Sequence, residues 1–381
     1  MTTPCLLTVF GTRPEAIKLA PLIREMSKRP SLRTVTCVTG QHREMLDQVL
    51  RFFEIVPEHD LRIMQTDQGL AAVVASVLTG TTAVINQVHP NAIVVQGDTA
   101  TTMAVSLAAF FCRIPVVHLE AGLRTHDRLN PFPEEINRRI ADLVADLYLV
   151  PTDIAKCHLL DERVPASSIV VTGNTVIDAL LLAWDRVREP HTSRRIDHNL
   201  SVILGFRPSS RRTVLVTGHR RESFGAGFRA ICDGLSRIAR DFPQIDIIYP
   251  VHLNPRVREV VFEQLKHPNN IHLIDPLDYD AFVWLMGHCE LILTDSGGVQ
   301  EEAPSLNKPV LVMRDHTERQ EVVEAGGARL VGTQADTILA ETSRLLLDPD
   351  AYRRMAEAVN PYGDGLAAVY SADAIEALLH G

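Results

Sequence analysis

Lysine is scarce in this chain: five of the 38 basic residues are lysines, a lean toward arginine that carries no function by itself. An excess of positive charge is also missing. The formal net charge is -9, which argues against broad binding to nucleic acid or acidic membranes, since both need a basic surface. No CxxC pair occurs among Cys5, Cys37, Cys112, Cys157, Cys232 and Cys289. Scattered and mostly within apolar stretches, they read as reduced core thiols. No apolar run approaches 18 residues, which excludes a membrane span on this reading. The opening MTTPCLLTVFGTRP lacks a basic leader and predicts a first strand rather than a signal peptide, so a cytoplasmic protein is expected. The 15 histidines include no HxxxH or HExxH pair, no GxSxG elbow is present, and no GxGxxG follows the first strand. These absences speak against a catalytic metal, a serine hydrolase and a nicotinamide cofactor.

What is present is length and alternation. With 381 residues and 46% hydrophobic content, the chain exceeds what one core usually supports, so two domains are expected. Short apolar runs at Leu6–Phe10, Val35–Val38, Ala92–Val95, Pro115–Leu119, Tyr148–Val150 and Ile169–Val171 alternate with helical patterns. Such alternation predicts a parallel sheet, and open parallel sheets bind ligands outside the carboxyl ends of their strands. Arg13, Asp98 and Glu120 fall at such ends, and Glu134 opens a helix after a Pro-rich loop. The four could converge on one crevice. A strand-end acid can equally cap free N–H groups.

The stretch 188–212, rich in charge, Pro and His, looks least ordered, and from Thr213 the pattern restarts. The restart implies two Rossmann-like halves with ligand between them. In the second half the segment LILTDSGGVQEEAP, Leu291 to Pro304, reads as strand, tight turn and helix start. Ser296, Gly297 and Gly298 stand where the first helical N–H groups lack partners, and the missing Cβ atoms let a phosphate come close. Asp295, Glu301 and Glu302 are placed to bond a sugar or ribose hydroxyl. His219 sits at a strand-to-helix junction beside Arg220 and Arg221; with Arg13, Arg314 and Arg319 these arginines could neutralise a diphosphate. Phosphate-seeking groups in one half and acids in the other would suit a nucleotide-sugar.

Eight motifs then occur in series: Gly11-Thr-Arg-Pro-Glu-Ala-Ile-Lys18, Gly97-Asp-Thr, His118-Leu-Glu-Ala-Gly-Leu-Arg124, Pro133-Glu-Glu, Gly218-His-Arg-Arg-Glu-Ser-Phe-Gly225, Tyr249-Pro-Val-His-Leu-Asn-Pro255, Thr294-Asp-Ser-Gly-Gly-Val-Gln-Glu-Glu-Ala-Pro304 and Asn360-Pro-Tyr-Gly-Asp-Gly365. Together they resemble the non-hydrolysing bacterial UDP-N-acetylglucosamine 2-epimerases over nearly the whole chain. The resemblance implies an α/β fold of GT-B architecture, two Rossmann-like domains with parallel sheets facing a central cleft. It places the acid-base side on residues 1–172 with about 366–381, and the UDP-binding side on 173–365. It implies reversible interconversion of UDP-GlcNAc and UDP-ManNAc through elimination of UDP to a 2-acetamidoglucal and re-addition, with no metal or redox cofactor. By position, Asp98, Glu120 and Glu134 are the implied acid-base carboxylates, with His219 near the leaving diphosphate. Arg13, Lys18, Ser296, Gly297, Gly298, Glu302 and Arg319 are implied substrate contacts, and Phe282 a uracil neighbour. A homodimer is implied as well. The alternatives are a GT-B glycosyltransferase, or an epimerase acting on a related UDP-amino sugar. The chain departs from the family pattern at Gln320, where proline is usual. A second departure concerns family members activated by a further UDP-GlcNAc: Gln41, Gln68, Arg220 and His252 match that region, but Asp67 replaces an arginine.

Overall fold

A computed structural model describes residues 3–40, 43–64, 68–218, 225–266 and 268–380. His219, Arg220, Arg221, Gln41 and Asp67 lie outside the described residues. The chain divides into one unit of residues 1–179 with 362–381 and another of residues 180–361.

The first unit holds a seven-stranded sheet of β1 (Cys5–Phe10), β2 (Arg33–Val38), β3 (His59–Asp60), β4 (Ala92–Gln96), β5 (Val116–Leu119), β6 (Leu147–Val150) and β7 (Ile169–Val171). All pairings are parallel, in the order β3-β2-β1-β4-β5-β6-β7. Side chains alternate across a strand, and here each face receives its own apolar core. Leu6 and Phe10 of β1 and Ala92 and Val94 of β4 enter one cluster, while Leu7, Val9, Ile93 and Val95 enter the other. The helices Arg13–Met26 and Ala367–His380 cover the first face, the latter through Ala372 and Ile375. Leu70–Val88 and Ala100–Phe111 cover the second. Burial on both faces explains why β1 and β4 read as unbroken apolar runs.

The second unit repeats the plan with β8 (Arg212–Thr217), β9 (Ile245–Pro250), β10 (Ile271–Ile274), β11 (Leu291–Thr294), β12 (Val310–Val312) and β13 (Ala328–Leu330). They form a parallel sheet in the order β10-β9-β8-β11-β12-β13. Phe228, Ile231, Leu235 and Ile238 of the helix Ala226–Asp241, spaced three and four apart, pack on Val214, Val216, Ile245 and Ile247. Full burial of each such side chain contributes about 1.5–3 kcal/mol. In both sheets the strand order reverses direction beside the first strand, at β1/β4 and at β8/β11. Those reversals leave a crevice at the strands' carboxyl ends, where the next loops meet.

Three expectations are corrected. The stretch expected to be least ordered contains the helix Pro190–Leu204, which opens on Pro, closes on a left-handed Gly205 and buries Ile196, Leu200 and Leu204. Arg194 and Arg195 are exposed, while Asp197 is buried and accepts the Ser209 N–H at 3.2 Å. The helix Leu70–Val88 has 19 residues, mean hydropathy 1.5 and enough apolar length to cross a membrane by composition. Ser, Thr and Gly interrupt the apolar run without adding charge; Val73, Val77, Val84 and Ile85 pack it on the sheet. Among the cysteines, Cys5, Cys37, Cys232 and Cys289 are buried thiols, but Cys157 is exposed.

Candidate active site

Strand β1 ends at Phe10, and Gly11 and Thr12 lead directly into the helix opened by Arg13 and Pro14. Pro is tolerated there because the first turn has no use for its missing N–H. Glu15, 1% exposed, turns back to accept the N–H groups of Gly11 at 3.0 Å and Thr12 at 2.7 Å. Its other oxygen accepts the Thr99 hydroxyl at 2.6 Å, which ties the loop after β1 to the loop after β4. Burial raises the Glu15 pKa, with the hydrogen bonds from Thr99, Thr12 and Gly11 acting against it. Sequence reading assigned Glu15 no role, although a Thr and a Glu three apart before an apolar run are the signature of such a cap. Arg13 itself is half-buried at the head of the helix.

The three expected carboxylates all belong to this unit, two of them at neighbouring strand ends. Asp98 follows Gly97 at the end of β4, and Glu120 follows Leu119 at the end of the adjacent β5. Glu134 is the first residue of the helix Glu134–Val144. Glu120 adopts a left-handed backbone with φ 65°, a conformation that costs a non-glycine residue about 1 kcal/mol or more and persists only when its surroundings enforce it. Its carboxylate is held by Lys18 at 2.5 and 2.6 Å and by the Gln96 amide. A Cβ built on Gly97 would stand 3.9 Å from Glu120 Oε2, so the β4 turn lies against this carboxylate. Asp98 pairs with Arg138 at 2.5 Å, and its carbonyl accepts from Asn137 at 2.9 Å. Arg138 and Asn137 stand one turn after Glu134 on the same helix, so that helix reaches across to the β4 end. Neither pairing partner was singled out from the sequence.

In the second unit, β11 runs into Asp295 and Ser296, and Ser296 caps the short helix Gly297–Glu302. The Ser296 N–H donates to the Thr294 hydroxyl at 2.9 Å, and Gly297 and Gly298 open the helix itself. Arg319 donates to Glu301 at 2.8 Å and lies over Gly297, where an added Cβ would sit 3.1 Å from its guanidinium carbon. Glu302 is buried beside Gly298. Asp295, fully buried, faces Gly218 at the end of β8. Phe282 is half-buried on the helix Tyr279–His288. Gln320, in place of the family's proline, opens the helix Gln320–Glu324 and donates its side-chain amide to the Thr317 carbonyl at 2.8 Å. That bond restrains the loop bearing Arg319. Beside it, Arg314 and Arg319 hold the Glu318 carboxyl down at about 2, against the opposing effect of its burial.

A family model described as UDP-N-acetylglucosamine 2-epimerase matches residues 24–376. The chain belongs to the UDP-N-acetylglucosamine 2-epimerase family. It is 54% identical to the UDP-N-acetylglucosamine 2-epimerase of Escherichia coli (strain K12) over 361 residues, 95% of each chain. The enzyme of that name from Yersinia pestis gives the same identity and coverage, 54% over 361 residues and 95% of each chain. Among solved structures, UDP-GlcNAc 2-epimerase from Neisseria meningitidis bound to UDP-GlcNAc superimposes with a TM-score of 0.90 at 43% identity, covering 99% of this chain and 100% of that one. Membership makes the chain an isomerase, and its two parallel α/β units are those of the GT-B-like fold.

Proposed function

We propose that this isomerase reversibly converts UDP-N-acetylglucosamine to UDP-N-acetylmannosamine by inverting C2. The C2–H bond breaks as its proton passes to a carboxylate, the electron pair forms the C1–C2 double bond of a 2-acetamidoglucal, and the C1–O bond breaks with UDP as leaving group. Proton return at the opposite face and re-addition of UDP complete the inversion. Asp98, Glu120 and Glu134 handle the protons. Ser296, Gly297, Gly298 and Arg319 meet the nucleotide, with Glu302, Arg13, Lys18 and Phe282 as further substrate contacts and His219 beside the leaving diphosphate.

The observation that carries this reading is the gathering of carboxylates at the ends of β4 and β5, with Glu120 and Asp98 each paired to a cation. A C2 proton is weakly acidic, so its removal needs a positioned base and a stabilised leaving group. The helix-capping turn and Arg319 supply the second requirement. We further propose a cytoplasmic homodimer. Six free thiols suit a reducing compartment. Phe110, Phe111 and Leu143, all exposed on neighbouring helices, offer an apolar face for a second copy.

Proton NMR of UDP-GlcNAc with the pure enzyme in D2O tests the reaction. Deuterium at C2 with appearance of the manno epimer is expected. An unchanged C2 configuration, with transfer only after an acceptor is added, would replace this reading with a glycosyltransferase.

A further inference from the structure

The first unit contains a charged cluster that the proposed reaction does not use. His118 lies on β5, fully buried, with ring nitrogen Nδ1 2.6 Å from Asp142 Oδ1 and Nε2 2.7 Å from the Gly97 carbonyl. A carbonyl only accepts, so Nε2 carries a proton and donates to Gly97. The Asp142 side chain is 2% exposed, and its other oxygen pairs with Arg124 at 2.7 Å and accepts the Gly122 N–H at 3.3 Å. The Arg124 side chain, closed to solvent, pairs in turn with Glu162 at 2.7 Å. Tyr148 donates its hydroxyl to the Asp142 carbonyl at 2.7 Å.

The targets of these bonds are the two turns that carry the acid-base residues. Gly97 immediately precedes Asp98 and is left-handed with φ 72°, and Gly122 follows Glu120 by two residues with φ 81°. Turns of this kind have alternative backbone conformations, because glycine imposes little of its own. Gly97 is fixed at both of its peptide groups, its N–H on the Leu119 carbonyl at 2.9 Å and its C=O on His118. Asp142 belongs to the helix Glu134–Val144, eight residues after Glu134 and four after Arg138. Residues four apart share a helix face. One stripe of that helix therefore begins with Glu134, grips Asp98 through Arg138, and reaches both turns through Asp142.

We infer that His118, Asp142 and Arg124 are positioning residues, a buried network that sets Asp98 and Glu120 in register with Glu134. The inference rests on the acid-base roles proposed above. Burial opposes a charge on His118, but the Asp142 carboxylate and the Gly97 carbonyl together raise its pKa. Asp142 is held low against its own burial by His118 and Arg124. The buried Asp142 carboxylate thus faces His118 on one oxygen and Arg124 on the other, and Arg124 reaches outward to the exposed Glu162. A displacement of about 1 Å in such groups costs on the order of 100-fold in rate.

The test uses the full-length enzyme with His118→Gln and Asp142→Asn, following deuterium exchange at C2 of UDP-GlcNAc and binding of UDP by calorimetry. Both variants should lose about 100-fold in kcat while KM and the Kd for UDP stay within about twofold, the pattern of a transition-state loss. A folded variant with wild-type kcat would overturn the network's role. Should neither variant fold, wild-type enzyme labelled with 15N-histidine decides: one ring that keeps protons on both nitrogens to higher pH than the other histidines is expected from its carboxylate and carbonyl acceptors, and the absence of any such ring overturns the network. Wild-type enzyme that exchanges no C2 proton would defeat the proposed reaction instead, and leave the NMR signature unaffected.

Discussion

Lys18 Nζ lies 2.6 Å from Glu120 Oε1 and 2.5 Å from Oε2, bridging the helix after β1 to the strained residue after β5. Their side chains are 16% and 7% exposed, so the pair is poorly hydrated and neither charge has ready compensation in water. Glu120→Gln should abolish turnover while the Kd for UDP stays near wild type. Lys18→Met should cut kcat by about 100-fold, the usual cost of losing one preorganised charged donor. Steady-state kinetics with calorimetry of UDP binding checks both, and a fully active Glu120→Gln enzyme would remove Glu120 from the chemistry.

Gly297 and Arg319 define the second site-directed prediction. An alanine methyl at 297 would stand 3.1 Å from the Arg319 guanidinium carbon, closer than ordinary packing, while Arg319 is tethered through Glu301 at 2.8 Å. The side chain must swing off its carboxylate or the turn must open. Gly297→Ala should weaken UDP binding about tenfold, equivalent to about 1.4 kcal/mol, with little change in thermal stability. Equal UDP affinity in the two proteins, measured by calorimetry, would show that Arg319 is not a nucleotide contact.

Much of this arrangement is legible in the sequence because its signals are local. The strand-turn-helix at Leu291–Pro304 and the acids at the ends of β4 and β5 follow from apolar runs broken by Gly and a charge. What escapes is long-range. His118, Arg138 and Asp142 sit among residues of ordinary helix and strand character, and their partners Gly97, Asp98 and Gly122 are 20 to 40 positions away. The spacing of Glu134, Arg138 and Asp142 was the available clue, since residues four apart share a helical face. Pro190–Leu204 is hard to read for the opposite reason: a local crowd of Pro, His, Ser, Asn and Arg masks a thin apolar stripe of Ile196, Leu200 and Leu204. Two-residue β3 carries too little pattern to be read at all.

Asp178 makes stability depend on pH. Its carboxylate accepts the Ala368 N–H at 2.8 Å, anchoring the start of the last helix, and burial pushes its pKa to about 6 from an ordinary 3.8. Between those values the folded protein keeps a proton that the unfolded chain has released. Stability from this group is therefore present in full below about pH 3.8 and is lost as pH rises through about 6. Asn at this position retains the oxygen that accepts from Ala368 and does not titrate. Asp178→Asn should gain about 1–3 kcal/mol relative to wild type at pH 8 compared with pH 4. Urea unfolding of both proteins at the two pH values measures the difference; a constant gap would contradict the buried charge.

Gln320 offers a test of how the chain accommodates its departure from the family pattern. Proline at the first helical position presets φ and removes an N–H that has no partner there, which stabilises by about 0.4–1 kcal/mol through the unfolded chain. Gln320 forgoes that but gains a hydrogen bond to the Thr317 carbonyl at 2.8 Å, worth about 0.5–1.5 kcal/mol. The two effects nearly cancel. Arg319, at φ -105° and ψ 57°, is already outside the helical region that a following proline would forbid. Gln320→Pro should therefore change unfolding free energy by less than about 0.5 kcal/mol and leave UDP affinity intact. Gln320→Ala, which lacks both devices, should lose about 1 kcal/mol and weaken UDP binding through a looser Arg319. If Gln320→Ala matched wild type in both measurements, the Thr317 bond would not be what steadies this loop.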